Sequence, residues 1–204
     1  EERTEELRKL FHGRRFLIVV GRFDGLGGAE RQALILADYL KCSIGAHVEF
    51  LASRKGALIE DILDQRGISH YVMSYPPMVS HWRRAYHLFR LTMLVRNKIR
   101  PEFIIPFIGY NCKVMAQICR FTGAKYTLWN QRDARGLSLY GSKAEKRALL
   151  KVNDVVSNSY GGRDFLCRTY GLTPDDITII NNGIKLPDTD SLQPYWRPKL
   201  GLSS

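Results

Sequence analysis

Phe16-Leu17-Ile18-Val19-Val20-Gly21-Arg22-Phe23-Asp24-Gly25-Leu26-Gly27-Gly28-Ala29-Glu30-Arg31 is the stretch on which the fold turns. Its first five residues form an unbroken apolar run with β-branched members, the pattern of a strand buried on both faces. A glycine-rich turn follows, and then a helical pattern over residues 29–40. Glycines after a strand let the backbone approach a ligand closely, and the free N–H groups opening the helix suit phosphate or another anion. A tight strand-to-helix turn with no ligand would use the same glycines. The spacing is not GxGxxG, because Glu30 stands where the third glycine would be. The second strand ends in Leu51-Ala52-Ser53-Arg54 with no acid after it, which argues against a nicotinamide dinucleotide site.

The same alternation continues outward. Strand patterns recur at 47–52, 68–73, 102–107, 126–129, 154–157 and 177–180, with helical patterns in every gap. One helix, over 56–65, is closed by Gly67. Pro76 and Pro77 stop any helix before them. Seven such alternations predict an α/β fold: a Rossmann-like, doubly wound, mainly parallel sheet of about seven strands with helices on both faces. Residues 1–13 read as a short charged helix or arm and 14–185 as the domain. After the Asn181-Asn182-Gly183 turn signal, prolines and aspartates over 186–204 read as a linker toward a further domain.

Composition narrows the class. With 45% hydrophobic and 25% charged residues, the chain has the make-up of a folded globular protein. No apolar run reaches the length of a membrane span, and residues 1–15 are too charged for a secretory signal. Cys42, Cys112, Cys119 and Cys167 have neither CxxC nor zinc spacing, which points to free thiols in a reducing, cytoplasmic compartment. The net charge is +11, and eleven bases against the single acid Glu102 place +10 of it between residues 65 and 132. Such a field favours anionic partners.

Three further constellations could carry chemistry. Trp129-Asn130-Gln131-Arg132-Asp133 puts four hydrogen-bonding side chains after a buried strand. They form either a solvated helix cap or a polar floor for a sugar or phosphate. In Ser157-Asn158-Ser159, Ser159 suits an N-cap, and ligand binding explains the trio equally well. In the basic helix that follows residue 80, Arg83, His87, Arg90 and Lys98 share a stripe with Leu94. Trp82, Ala85, Tyr86, Phe89 and Met93 form a broad apolar arc with Leu88, Val95 and Ile99. The arc is expected to pack on the sheet and leave the bases exposed. With Arg84, those bases are candidates for holding an anionic acceptor or a membrane surface. His12, His47, His70, His81 and His87 lack metal-ligand spacing. No GxSxG elbow, P-loop or RNP pattern is present, so no nucleic-acid partner is expected.

Residues 16–40, with Gly-Gly-Ala-Glu-Arg-Gln at 27–32, resemble the opening of the N-terminal domain of family 4 glycosyltransferases of the GT-B fold. So do residues 144–184, through Asn153-Asp154-Val155-Val156-Ser157-Asn158-Ser159 and Ile177-Thr178-Ile179-Ile180-Asn181-Asn182-Gly183. Arg100-Pro101-Glu102-Phe103-Ile104-Ile105 looks like the family's fourth strand. The resemblance spans about residues 14–186.

It implies a retaining, metal-independent hexosyltransferase with no cofactor, taking a nucleotide-sugar donor and a glycan or lipid-linked acceptor. Two Rossmann-like domains face each other in such enzymes. The paired-glutamate motif lies in the second, nucleotide-sugar-binding half and is absent here, so this chain would be an acceptor-side fragment unable to turn over alone. Gly27 and Gly28, with Gly25 in the same loop, would approach the donor diphosphate or transferred sugar, and Glu30 opens the helix behind them. Gln131, Asn158 and Ser159 would complete the donor and acceptor contacts. Many relatives carry a His-Gly pair after the fifth strand. Here that place falls in Asn130-Gln131-Arg132-Asp133, so Asn130, Arg132 and Asp133 become the catalytic candidates. The basic region suggests an anionic or membrane-associated acceptor and a peripheral place at the membrane's inner face. A GT-B epimerase, or a non-catalytic nucleotide-binding module using Arg54, are the rival readings.

Overall fold

A computed structural model describes residues 2–75, 81–133 and 139–183. In chain order the elements are α1 (Glu2–Phe11), β1 (Arg15–Val20), α2 (Gly28–Asp38), β2 (His47–Ala52), α3 (Ala57–Gln65), β3 (Ser69–Val72), α4 (His81–Met93), β4 (Phe103–Pro106), α5 (Gly109–Ile118), β5 (Tyr126–Gln131), α6 (Ser142–Leu149), β6 (Asp154–Ser157), α7 (Tyr160–Tyr170) and β7 (Thr178–Ile179). The seven strands form one sheet in the order β3-β2-β1-β4-β5-β6-β7. Every pairing is parallel. The expected doubly wound α/β fold is therefore the fold observed.

The run 16–20 is buried on both sides. Phe16, Ile18 and Val20 point into the layer of α2 and α3, and Leu17 and Val19 into the layer of α4 and α5. Full burial of each such side chain contributes about 1.5–3 kcal/mol, which is why this strand sits centrally. A third cluster, around Trp129, Val155, Ala148 and Leu166, fixes α5, α6 and α7 over β5 and β6. Helix α1 lays Leu7 and Phe11 on the first cluster, with Phe11 edge-on to Phe16 and Phe103.

Several boundaries differ from the sequence expectation. Helix α2 ends at Asp38 and passes into a wider π-type turn over Tyr39–Ile44, closed by left-handed Gly45. Helix α4 likewise runs into a π-type turn over Leu94–Ile99, stopped by left-handed Arg100 before Pro101. Strand β5 extends two residues further, pairing Asn130 with Val156 and Gln131 with Ser157. Its polar end continues the strand because those side chains find internal partners.

The apolar arc on α4 requires correction. It is too broad for one helix to bury against a sheet. Packing selects Leu91, Val95 and Ile99, while Trp82, Tyr86, Phe89 and Met93 face outward. Among the described residues no helix is long and apolar enough to cross a membrane. All four cysteines are free. The expected linker over 186–204 and the prolines at 76 and 77 lie outside the described residues.

Candidate functional site

Strand order reverses between β1 and β4, and the loops after β1, β4, β5 and β6 meet at the carboxyl edge of the sheet. In open parallel sheets, ligands bind at that place. The loop of residues 21–27 lies down on the start of α3. Phe23 donates its N–H to the Arg54 carbonyl (3.2 Å), and Ile59 donates to the Phe23 carbonyl (3.0 Å). Gly56 makes this approach possible, since a Cβ there would stand 2.0 Å from the Asp24 nitrogen. The loop delivers Gly27, with extended backbone, as the N-cap of α2, and no side chain caps the helix. Its first-turn N–H groups thus keep their donor capacity and the positive end of the helix dipole. A Cβ on Gly28 would meet nothing within 4 Å.

The first turn of α2 forms one wall of a cleft of about 400 Å³. Gly28, Ala29 and Glu30 face Arg132 and Asp133 from the end of β5, Asn158 from the end of β6, and Ile108 and Asn182. Arg132 is held on three sides. Its Nε donates to Asn130 Oδ1 (3.0 Å), Nη1 donates to Asn182 Oδ1, and the guanidinium lies 5.0 Å over the Phe107 ring. Burial lowers its pKa, although a guanidinium stays charged at any physiological pH. Asp133 Oδ1 accepts from the Gly109 N–H at the start of α5 (3.2 Å) and from Gln131 Nε2 (2.9 Å). Burial pushes the Asp133 carboxyl above the ordinary carboxylate range, against the opposing pull of the Gly109 amide and of Lys113. The site therefore sets a fixed cation beside a half-buried carboxyl of raised pKa and a row of uncapped amides.

Glu30 and Ile108 also line a second cleft of about 430 Å³, shared with Arg22, Ser53, Arg54, Ser74 and Tyr75 among others. Tyr75 and Tyr110 stack on this side at 5.9 Å, and Tyr75 donates to Asn111 Oδ1 (3.2 Å). Ile108 has φ 73°. A β-branched residue in that region is strained, and such strain gathers at functional sites. It stands at the switch point, on the partition between the two clefts.

The structure thus brings Gly28, Glu30, Arg132, Asp133 and Asn158 to one cleft, and it places the other expected site residues elsewhere. Asn130 is buried and lies behind Arg132, because strand alternation sends it to the sheet face away from Gln131. Gln131 is buried under the site, its amide shared between Trp129 Nε1 and Asp133. Ser159 caps α7, accepting from the Gly162 N–H at 3.2 Å. Gly25 and Gly27 shape the loop: a Cβ on Gly27 would stand 2.7 Å from Glu30 Oε2. The basic set divides. Arg83 and Arg90 on α4 and Lys98 in the turn after it are exposed, while Arg84 is half-buried over Tyr140 and His87 is half-buried.

Gly56, Ile108 and Asn182 are the site residues that the sequence reading missed. Asn182 is visible there only as part of a turn signal and of the family-like run 177–183, and nothing local marks Ile108. Behind the cleft, Glu145 gathers the Leu139 and Tyr140 amides, the Tyr170 hydroxyl and the Lys113 ammonium (3.2 Å). That buried cluster fixes the start of α6 next to β5.

The comparisons agree with this architecture. The chain is similar to a glycosyltransferase of Rickettsia africae (18% identity, TM-score 0.71), covering 95% of this chain and 51% of that one. It is also similar to Anabaena HepE, crystallised with UDP and glucose (15% identity, TM-score 0.62, 92% and 50% covered). A third similar structure is MurG of Acinetobacter baumannii (16% identity, TM-score 0.57, 87% and 47% covered). The chain therefore spans about half the length of the structures it matches, with the fold of their N-terminal-type, GT-B domain. No curated protein matches the chain significantly in sequence. The family model for Glycosyltransferase Family 4 matches residues 26–187, from the glycine loop past the Asn-Asn-Gly turn, and on that match the chain belongs to glycosyltransferase family 4.

Proposed function

We propose that this domain is the acceptor-side half of a retaining, metal-independent hexosyltransferase that moves a sugar from a nucleotide-sugar to a glycan or lipid-linked acceptor. The observation that carries the reading is the uncapped start of α2 facing Arg132, Asp133 and Asn158 across one cleft. Departure of a nucleoside diphosphate develops negative charge on its phosphate. Preorganised amides and a fixed guanidinium stabilise such charge most effectively where water is scarce. Asn158 supplies hydrogen-bonding groups for sugar hydroxyls, and Asp133 holds or takes a proton at the opposite wall. Asn130, Asn182 and Gln131 act as positioning residues. The UDP and glucose in HepE support a nucleotide-sugar as donor. The second cleft, rimmed by Arg22 and Arg54, is the acceptor side. Turnover requires a nucleotide-sugar-binding half beyond this domain, and the enzyme works in the cytoplasm.

The test is nucleotide release by the full-length protein from a panel of UDP-, GDP- and ADP-sugars, with and without a lipid or glycan extract. Release from one donor, stimulated by extract and with the anomeric configuration retained in the product, is the expected result. Arg132→Ala should then lower kcat by roughly 10²–10³, the size of losing one preorganised donor group. Conversion of a donor without acceptor would replace transfer by epimerisation. Binding of NADPH with silence across the panel would replace it by a nucleotide-binding module using Arg54.

A further inference from the structure

Helix α4 presents to solvent the residues that a helix on a sheet normally hides. Trp82 is 88% exposed, Phe89 62%, Tyr86 57% and Met93 41%. Their spacing of four, three and four residues sets all four on one crest, opposite buried Leu91. Exposed apolar side chains scattered singly need no explanation, but a continuous aromatic crest marks an interaction surface. Arg83 and Arg90 are exposed beside it, with Arg90 lying 5.6 Å over the Tyr86 ring. From residue 81 to residue 100 the chain holds six bases and no acid. An acidic or apolar protein groove would be served by either half of this pattern. Tryptophan, tyrosine and phenylalanine on one face with arginines flanking them is the composition that settles at the headgroup level of an anionic bilayer.

We propose that α4 is an interfacial anchor that seats the Trp82–Tyr86–Phe89–Met93 crest in an anionic lipid surface, with Arg83 and Arg90 on the headgroups. This deepens the glycosyltransfer reading by bringing the acceptor side to a membrane. Ser74 and Tyr75, which line the second cleft, stand just before α4 in sequence. An anchor there would hold that cleft close to an acceptor carried in the lipid. The half-buried Arg84 and His87 serve packing and take no part.

The test needs no sugar chemistry. The protein is sedimented with vesicles of phosphatidylcholine, with and without phosphatidylglycerol, and its tryptophan emission is followed with brominated acyl chains. The sequence holds a third tryptophan, Trp196, so the emission is read in a Trp196→Phe background. Binding to the anionic vesicles is expected, with quenching that Trp82→Phe abolishes while binding persists, since Trp129 is buried in the core. The double variant Trp82→Ser, Phe89→Ser should lose roughly 100-fold in partitioning. Arg83→Ser with Arg90→Ser should lose roughly 30-fold at low salt. All four side chains are exposed, so melting temperatures should stay at the parent value. Equal binding to both vesicle types, absence of binding, or quenching that survives Trp82→Phe in the Trp196→Phe background would overturn the proposal. So would a concentration-dependent dimer that hides the crest and ignores vesicles. Vesicle binding without nucleotide release would leave the anchor standing and defeat the transferase reading; transfer to a soluble acceptor without vesicle binding would do the reverse.

Discussion

Replacing Gly56 by alanine separates glycines that shape the cleft from glycines that leave room for a ligand. The new Cβ would lie 2.0 Å from the Asp24 nitrogen, 2.2 Å from its Cα and 2.3 Å from the Phe23 carbonyl carbon. All three are backbone atoms, so no side chain can swing aside and the loop of residues 21–27 must lift by more than an ångström. Overpacking of this kind costs about 1–3 kcal/mol. Lifting also strains the bonds from Phe23 to Arg54 and from Ile59 to Phe23, each with a net worth of about 0.5–1.5 kcal/mol. A total of about 2–4 kcal/mol lowers the melting temperature of a domain this size by roughly 5–15 °C.

Gly28→Ala is the contrast, because its Cβ enters open space at the start of α2. It should leave stability unchanged or raise it by about 0.4–1 kcal/mol. On the proposed transfer function the same methyl would intrude where a donor approaches and should weaken its binding roughly tenfold or more. Thermal denaturation of both variants checks the argument. A Gly56→Ala protein melting within a degree of the parent would refute the steric account of the loop. Loss of stability in Gly28→Ala would show that this glycine serves the turn and not a ligand.

Glu145→Gln should cost about 3–5 kcal/mol in urea unfolding, because it removes the carboxylate facing the buried ammonium of Lys113. Burial opposes the charge on Glu145, but the Tyr140 amide, the Tyr170 hydroxyl, the Leu139 amide and Lys113 outweigh it and hold its pKa below the usual carboxylate range. Its contribution is therefore complete above the ordinary carboxylate pKa and is lost as pH falls through the lowered value. A pH series of unfolding midpoints should show that acid limb in the parent and a shallower one in Glu145→Gln. Thiol labelling should modify exposed Cys42 at once and leave Cys112 and Cys119 protected until the chain unfolds. Burial pushes the Cys112 thiol up to about 12, so thiolate is scarce at neutral pH.

The sequence by itself determined the parallel α/β architecture, because a two-sided apolar run such as 16–20 is stable only between two helical layers. The strand at 47–52 and that at 154–157 were legible to the residue for the same reason. It also marked the glycine loop and the polar end of β5 as the place to look. Which polar residues reach the cleft was not legible: Asn130 and Gln131 are adjacent in sequence, and the alternation of a strand that ran on further than its composition suggests took both away from it. Gly56 and Ile108 carry no local signal, since one is required by a loop from another crossover and the other is strained by the strand reversal. On α4 the sequence showed an apolar arc and a basic stripe, and the hydrophobic pattern alone could not say which half of so wide an arc the sheet would take. Only the tertiary packing decided that, by burying Leu91, Val95 and Ile99 and leaving the aromatic crest in water.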